Sequence, residues 1–199
     1  MKTLQKESPT KEKLLNAAEE LMRSKGFSAT SVDEICEEAG VTKGSFFHYF
    51  DSKDNLGREV LERFCCKAGS LHSTFIGEEK DPLKRVLKYI DASIKLSQDP
   101  VMAKGCLLGT FAQELSDMSP EIRKACCEGF ENWSIHFSSE LAAAKKKYKP
   151  KEDFNPKSLA KHYIAILEGA LLMGKAKKNM SIVSENLKHF RRYIEMLFA

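Results

Sequence analysis

Residues 31–56 read SVDEICEEAGVTKGSFFHYFDSKDNL, and this stretch decides the fold. Ser31 followed three residues later by Glu34 is a capping box, which starts a helix. Val32, Ile35, Cys36 and Ala39 share one face of that helix and give it an inner side. Gly40 supplies a turn, and Thr42 caps a second short helix through Tyr49. Two short capped helices joined by a tight glycine turn are a helix-turn-helix. Ser52 then caps a longer helix that carries Leu56, Val60, Leu61 and Phe64 on one side.

Outward from this stretch the sequence stays helical. Upstream, Leu14, Ala18, Leu21 and Met22 make one apolar stripe on a helix from Pro9 or Thr10 to Ser24, which Gly26 ends. Downstream, helices are expected over roughly 81–98, 102–116, 120–147, 157–177 and 181–197. Prolines 9, 82, 100, 120, 150 and 156 are spaced like helix boundaries, and no stretch sustains the period-two alternation of a strand. The expected fold class is all-α. Lys145 to Asp153 is charged, contains Pro150, and reads as a solvated loop. In the last helix Val183, Leu187, Phe190, Ile194 and Leu197 form a seam for packing another helix, and Gly169, Ala170 and Gly174 thin the helix before it. Both features suit a homodimer built on 157–177 and 181–197.

The chain's 199 residues, 42% hydrophobic and 30% charged, suffice for a real core without disulfide staples. No apolar run reaches the ~18–20 residues of a membrane span, and residues 1–30 hold no apolar core of a secretory leader. Of the six cysteines, Cys65-Cys66 and Cys126-Cys127 are adjacent pairs, and no C-x-x-C occurs. Reduced thiols in a cytoplasmic protein are expected, without a metal site or a cofactor. The net charge is +4, but residues 1–57 carry eight Lys/Arg against ten Asp/Glu, so the basic excess lies in the other part.

The second short helix suits the major groove of DNA. Lys43, Gly44 and Ser45 offer a cation, a small residue and a hydroxyl that approach base edges closely. Tyr49, Lys53 and the N-terminus of the helix after Ser52 suit phosphate oxygens. Ser31, Thr42, Phe47 and His48 complete the candidate DNA-contacting set. Asp33, Glu34, Glu37 and Glu38 would repel phosphate and are expected to face away from it, with Glu34 engaged in capping. Extra cations are expected from Lys2, Lys6 and Lys11.

The residues Ala39-Gly40-Val41-Thr42-Lys43-Gly44-Ser45, then Tyr49-Phe50, Ser52-Lys53 and Leu56, closely resemble the DNA-binding signature of the TetR family of bacterial transcriptional regulators. The likeness spans Leu14 to Leu56. It implies an all-helical homodimer that binds a palindromic operator in double-stranded DNA, and repression that a small molecule relieves. It places a DNA-binding domain at 1–51 and a ligand-binding and dimerisation domain at 52–199, with 52–66 as the connecting helix. Two residues depart from the pattern: Phe47 stands where tyrosine is usual, removing one hydroxyl, and Cys36 stands where alanine is common.

The stretch Gly105-Cys106-Leu107-Leu108-Gly109-Thr110-Phe111-Ala112-Gln113-Glu114-Leu115-Ser116 resembles a TetR subgroup that answers reactive electrophiles, among them regulators of N-ethylmaleimide reductase. Cys106 sits at an expected helix start after Lys104, a setting that raises a thiol's thiolate fraction. It reads either as a sensor or as a small core residue, with Lys175 as a candidate cationic neighbour. Phe111, Phe130, Trp133, Phe137 and Tyr163 are candidates to line an apolar effector pocket with Gln113, Glu114 or Glu168 as polar contacts, or ordinary core. The competing function is a small helical enzyme with a reactive thiol at Cys106. Against it, there is no phosphate-cradling glycine loop, no H-E-x-x-H and no nucleophile elbow.

Overall fold

The computed structural model describes residues 8–99 and 104–199. Among them are nine α-helices and no strand: α1 (Pro9–Lys25), α2 (Val32–Ala39), α3 (Lys43–Tyr49), α4 (Lys53–Ile76), α5 (Pro82–Leu96), α6 (Leu107–Leu115), α7 (Pro120–Tyr148), α8 (Pro156–Lys177) and α9 (Ser181–Leu197). The starts follow the capping residues. Ser31 Oγ accepts the Glu34 N–H while the Glu34 carboxylate accepts the Ser31 N–H at 2.8 Å. Ser52 Oγ accepts the Asn55 N–H at 3.0 Å, and Asp81 and Asn155 cap α5 and α8 in the same way.

One helix end differs from the sequence expectation: the fourth helix runs on to Ile76 rather than stopping at 66. The seventh ends at Tyr148, one residue past the expected 147, so Lys145 to Tyr148, which also read as the start of a solvated loop, is its last turn. Tertiary bonds hold this last turn: Lys147 Nζ and Tyr148 Oη both bond to Asp81 Oδ2 at 2.6 Å, and Lys145 Nζ meets the Phe154 carbonyl at 2.5 Å.

The chain divides into two compact units. The first takes residues up to Phe64 together with Leu107–Cys127, so α6 folds with α1–α3. Its core contains Leu14, Met22, Ile35, Phe46, Phe50 and Phe111, all at most 1% exposed. The second takes Cys65–Cys106 and Glu128–Ala199. There Tyr89, Phe137, Tyr163 and Phe190 form a ring cluster, with Phe137 and Tyr163 centroids 4.6 Å apart. A buried polar chain ties three helices beneath it. Tyr163 Oη of α8 donates to Ser93 Oγ of α5 at 2.6 Å, and His72 Nε2 of α4 lies 2.8 Å from the same oxygen.

The apolar seam of α9 has a different role from the one expected. Val183, Leu187, Phe190 and Ile194 are buried in the second unit's own core, not left for a partner. Gly174 is small because a Cβ there would meet Met180 Sδ at 2.9 Å, across the turn into α9. Ala170 is likewise buried, while Gly169 faces open space. The large apolar side chains that these two helices leave exposed are Leu172, Met173, Tyr193 and Met196.

Candidate DNA interface and sensor residues

The short helix α3 is pinned from beneath and offers its other side outward. Phe46 and Phe50, one turn apart, are buried with ring centroids 5.7 Å apart. That orientation leaves Phe47 55% exposed, and Lys43, Gly44 and His48 are exposed with it. Thr42 Oγ1 accepts the Ser45 N–H at 3.2 Å and lies 3.1 Å from Ser45 Oγ. A Cβ at Gly44 would touch only Thr42 Oγ1, at 3.7 Å, so nothing in the fold itself demands glycine there. Tyr49 is half-buried, with Oη 2.8 Å from Ser8 Oγ and its ring edge-on to His48.

The charged residues pair among themselves. Asp33 is solvent-exposed and lies beside the recognition helix, its Oδ1 2.7 Å from Lys43 Nζ, both side chains being well exposed. Glu34 does cap, and it also pairs with Lys25 at 2.5 Å. Those bonds, the Lys25 one foremost, hold its carboxyl at about 2. Lys53 Nζ donates to the carbonyls of Phe27 at 3.1 Å and Thr30 at 2.9 Å, and sits 4.3 Å above the Phe27 ring. Two of its three donors therefore brace the loop between α1 and α2, and burial lowers its pKa. Lys11 pairs with Glu59 at 2.6 Å; Lys2 and Lys6 lie outside the described residues.

Cys106 is half-buried, and its thiol hydrogen-bonds the Glu168 side chain of α8. Burial pushes the Glu168 carboxyl up to about 7, against the pull of that thiol. Its Oε1 is buried without a hydrogen-bond partner. The group touching the thiol is thus a carboxyl, where the sequence suggested a lysine. Lys175 is exposed seven residues further along α8, about 10 Å of helix rise away. The sequence offered Glu168 as a polar contact of an apolar pocket and not as the partner of Cys106, because only tertiary packing brings α8 to that thiol. Trp133, Phe137 and Tyr163 do come together: the Trp133 and Tyr163 rings meet edge to face at 6.4 Å. Phe111 belongs to the first unit, edge-on to Phe27 at 5.2 Å.

A seven-residue helix fixed by buried aromatics, capped by threonine and exposing a cation and a glycine, defines a helix-turn-helix DNA-binding regulator. Comparison with known proteins makes the class specific. Residues 14–60 match the family described as bacterial regulatory proteins, tetR family, and residues 82–190 match the tetracyclin repressor-like C-terminal domain. The repressor DhaR of Mycobacterium sp. (strain GP1) is 30% identical over 173 residues, covering 86% of this chain and 85% of its own. The repressor NemR of Escherichia coli (strain K12) is 27% identical over 189 residues, covering 94% and 95%. Among solved structures, a regulatory protein TetR from Rhodobacter sphaeroides superimposes with a TM-score of 0.82 at 27% identity, over 93% of this chain and 98% of that one. The reduced form of E. coli NemR gives 0.80 at 26% identity, over 96% and 99%. The chain belongs to the TetR family and is a DNA-binding transcriptional regulator. No described helix is long and apolar enough to cross a membrane.

Proposed function

We propose that this regulator is a cytoplasmic repressor that acts by binding, not by catalysis. It holds a palindromic operator as a homodimer and releases it when a small molecule or an electrophile acts on the second unit. The observation that carries the DNA half is the outward face of α3, where Lys43, Gly44, Phe47 and His48 are exposed, with Ser45 half-buried beside them, toward a major groove. Tyr49 contacts phosphate beside them. Ser31 and Thr42 act through the caps they form, and Lys53 through the loop it braces. Repression is supported by the similarity to DhaR and NemR, both transcriptional repressors. The dimer forms through the exposed Leu172, Met173, Tyr193 and Met196 of α8 and α9.

The sensor half rests on Cys106 and its contact with the buried Glu168. A group added to the sulfur removes the thiol hydrogen and with it the bond to the buried Glu168 carboxyl, so modification of Cys106 is felt directly in the packing of α8. The test is binding of the regulator's own promoter fragment by wild type and Cys106→Ser, each with and without N-ethylmaleimide. Release confined to wild type supports the thiol as the switch. Equal release by both proteins makes another cysteine responsible, and no release by either favours a reversible ligand held near Trp133, Phe137 and Tyr163.

A further inference from the structure

The loop between α1 and α2, residues 26–31, sets where the helix-turn-helix begins, and its polar groups are held from several directions. Gly26 donates its N–H to the Met22 carbonyl at 3.0 Å, and its own carbonyl accepts Thr30 Oγ1 at 2.7 Å. Lys53 of α4 takes the Phe27 and Thr30 carbonyls. Glu34 of α2 takes the Ser31 N–H. The Ser28 N–H donates to a residue far along the chain, Glu114 of α6, whose Oε2 lies 3.0 Å away.

Glu114 is fitted to this loop on both oxygens. The other one, Oε1, lies over Gly26, where a Cβ would overlap it. Gly26 has φ 92° and ψ 166°, a conformation open in practice to glycine alone, so the residue that creates the space is also the one whose backbone turns the loop. One turn earlier on α6, Phe111 packs edge-on to Phe27 at 5.2 Å. Phe27 in turn fills the space left by Gly57 of α4, where a Cβ would stand 2.7 Å from the ring. The loop is thus gripped by one face of α6 through a carboxylate and an aromatic ring.

We infer that Glu114 is a positioning residue for DNA binding: its carboxylate clamps the α1–α2 loop through the Ser28 N–H and fixes the geometry from which α2 and α3 start. A bond from a charged acceptor to a backbone N–H is among the stronger hydrogen bonds. Without it the loop must be ordered anew each time α3 docks, and that ordering is subtracted from affinity. The inference rests on α3 being the operator-reading helix.

The experiment compares wild type, Glu114→Gln and Glu114→Ala in the full chain. Three quantities are measured: amide exchange at Ser28, operator affinity across salt concentrations, and thermal midpoint. Exchange at Ser28 is expected to quicken and affinity to fall in the order Glu, Gln, Ala, with Ala about tenfold weaker than wild type. The salt dependence stays unchanged because no phosphate contact is lost. Faster Ser28 exchange with operator affinity within twofold of wild type overturns the positioning role, and unchanged exchange overturns the bond itself. If Glu114→Ala does not fold, the Glu and Gln pair decides by the same two criteria. Lys43→Ala is measured alongside. Unaltered operator preference in that variant refutes the α3 reading, whereas a Lys43 effect with a flat Glu114 series refutes only the clamp.

Discussion

In the proposed reading Lys43 contacts a base edge, and it meets its first competitor within the protein. The exposed pair with Asp33 is weak, since such pairs are typically worth ~0–1 kcal/mol, so an operator can draw the lysine away. Asp33→Asn should therefore tighten binding several-fold at low salt, read by fluorescence anisotropy; weaker binding would show that Asp33 supports the docked helix. Lys43→Ala should instead cost ~1–3 kcal/mol of discrimination between the operator and a single-base variant. At Lys53 the bonds to two loop carbonyls add a role in the fold to the expected one toward phosphate. Lys53→Met strips donors from two loop carbonyls and should lower stability by about 1–3 kcal/mol in a denaturant titration. The caps at Ser31, Thr42 and Ser52 were legible because donor and acceptor lie three residues apart. The Lys43–Asp33, Lys53–Phe27 and Glu114–Ser28 contacts were not, because they are made between elements.

At the scale of the helix, periodicity revealed which face of α9 is apolar but not what covers it. Val183, Leu187, Phe190 and Ile194 satisfy the same pattern whether the neighbour is this chain's core or a partner subunit, and the neighbour is the core. Helix ends fixed by local chemistry, such as Pro82 with Asp81 or Asn155 with Pro156, were readable. The end of α7 was placed within a residue as well, but the bonds of Lys147 and Tyr148 to Asp81 that hold it were not visible, because the partners lie far apart in sequence.

The second unit's buried polar groups also give it opposed pH responses. Burial lowers the His72 pKa, so the folded state disfavours its proton. The stability linked to His72 is present above the ordinary histidine value of about 6.5 and is lost as pH falls through the folded pKa. Glu168 behaves in the opposite sense: its linked stability is full below 4.5 and is lost as pH rises through about 7. Glu168→Gln should then be more stable than wild type at pH 8, with the gain vanishing by pH 4.5. Urea titrations at the two pH values check this, and an equal difference at both would contradict it.

For the whole molecule, the proposed dimer is built on the exposed apolar residues of α8 and α9. Met173→Glu, which places a charge on that surface, should yield monomers in sedimentation at micromolar concentration while the single-chain core stays folded. A variant that remains dimeric would move the interface elsewhere. A two-fold symmetric dimer presents two α3 helices to half-sites one or more turns apart, ~34 Å per turn, so monomers should also lose the operator. The all-helical class and the recognition helix were visible in a single 26-residue stretch, because capping and turn chemistry are local. The joining of α6 to the first unit was not visible, because it depends on Phe27, Gly57, Phe111 and Glu114 meeting in space.

Whether the exposed face of α3 reads a specific operator is decided by competition binding. Wild type and Lys43→Ala are titrated with a labelled fragment of the regulator's own promoter at a fixed salt concentration, against an unlabelled scrambled duplex. Wild type should prefer the promoter by about a thousandfold or more, and Lys43→Ala should lose much of that preference. A wild-type protein that binds both duplexes alike, or a Lys43→Ala variant with full preference, would contradict the account.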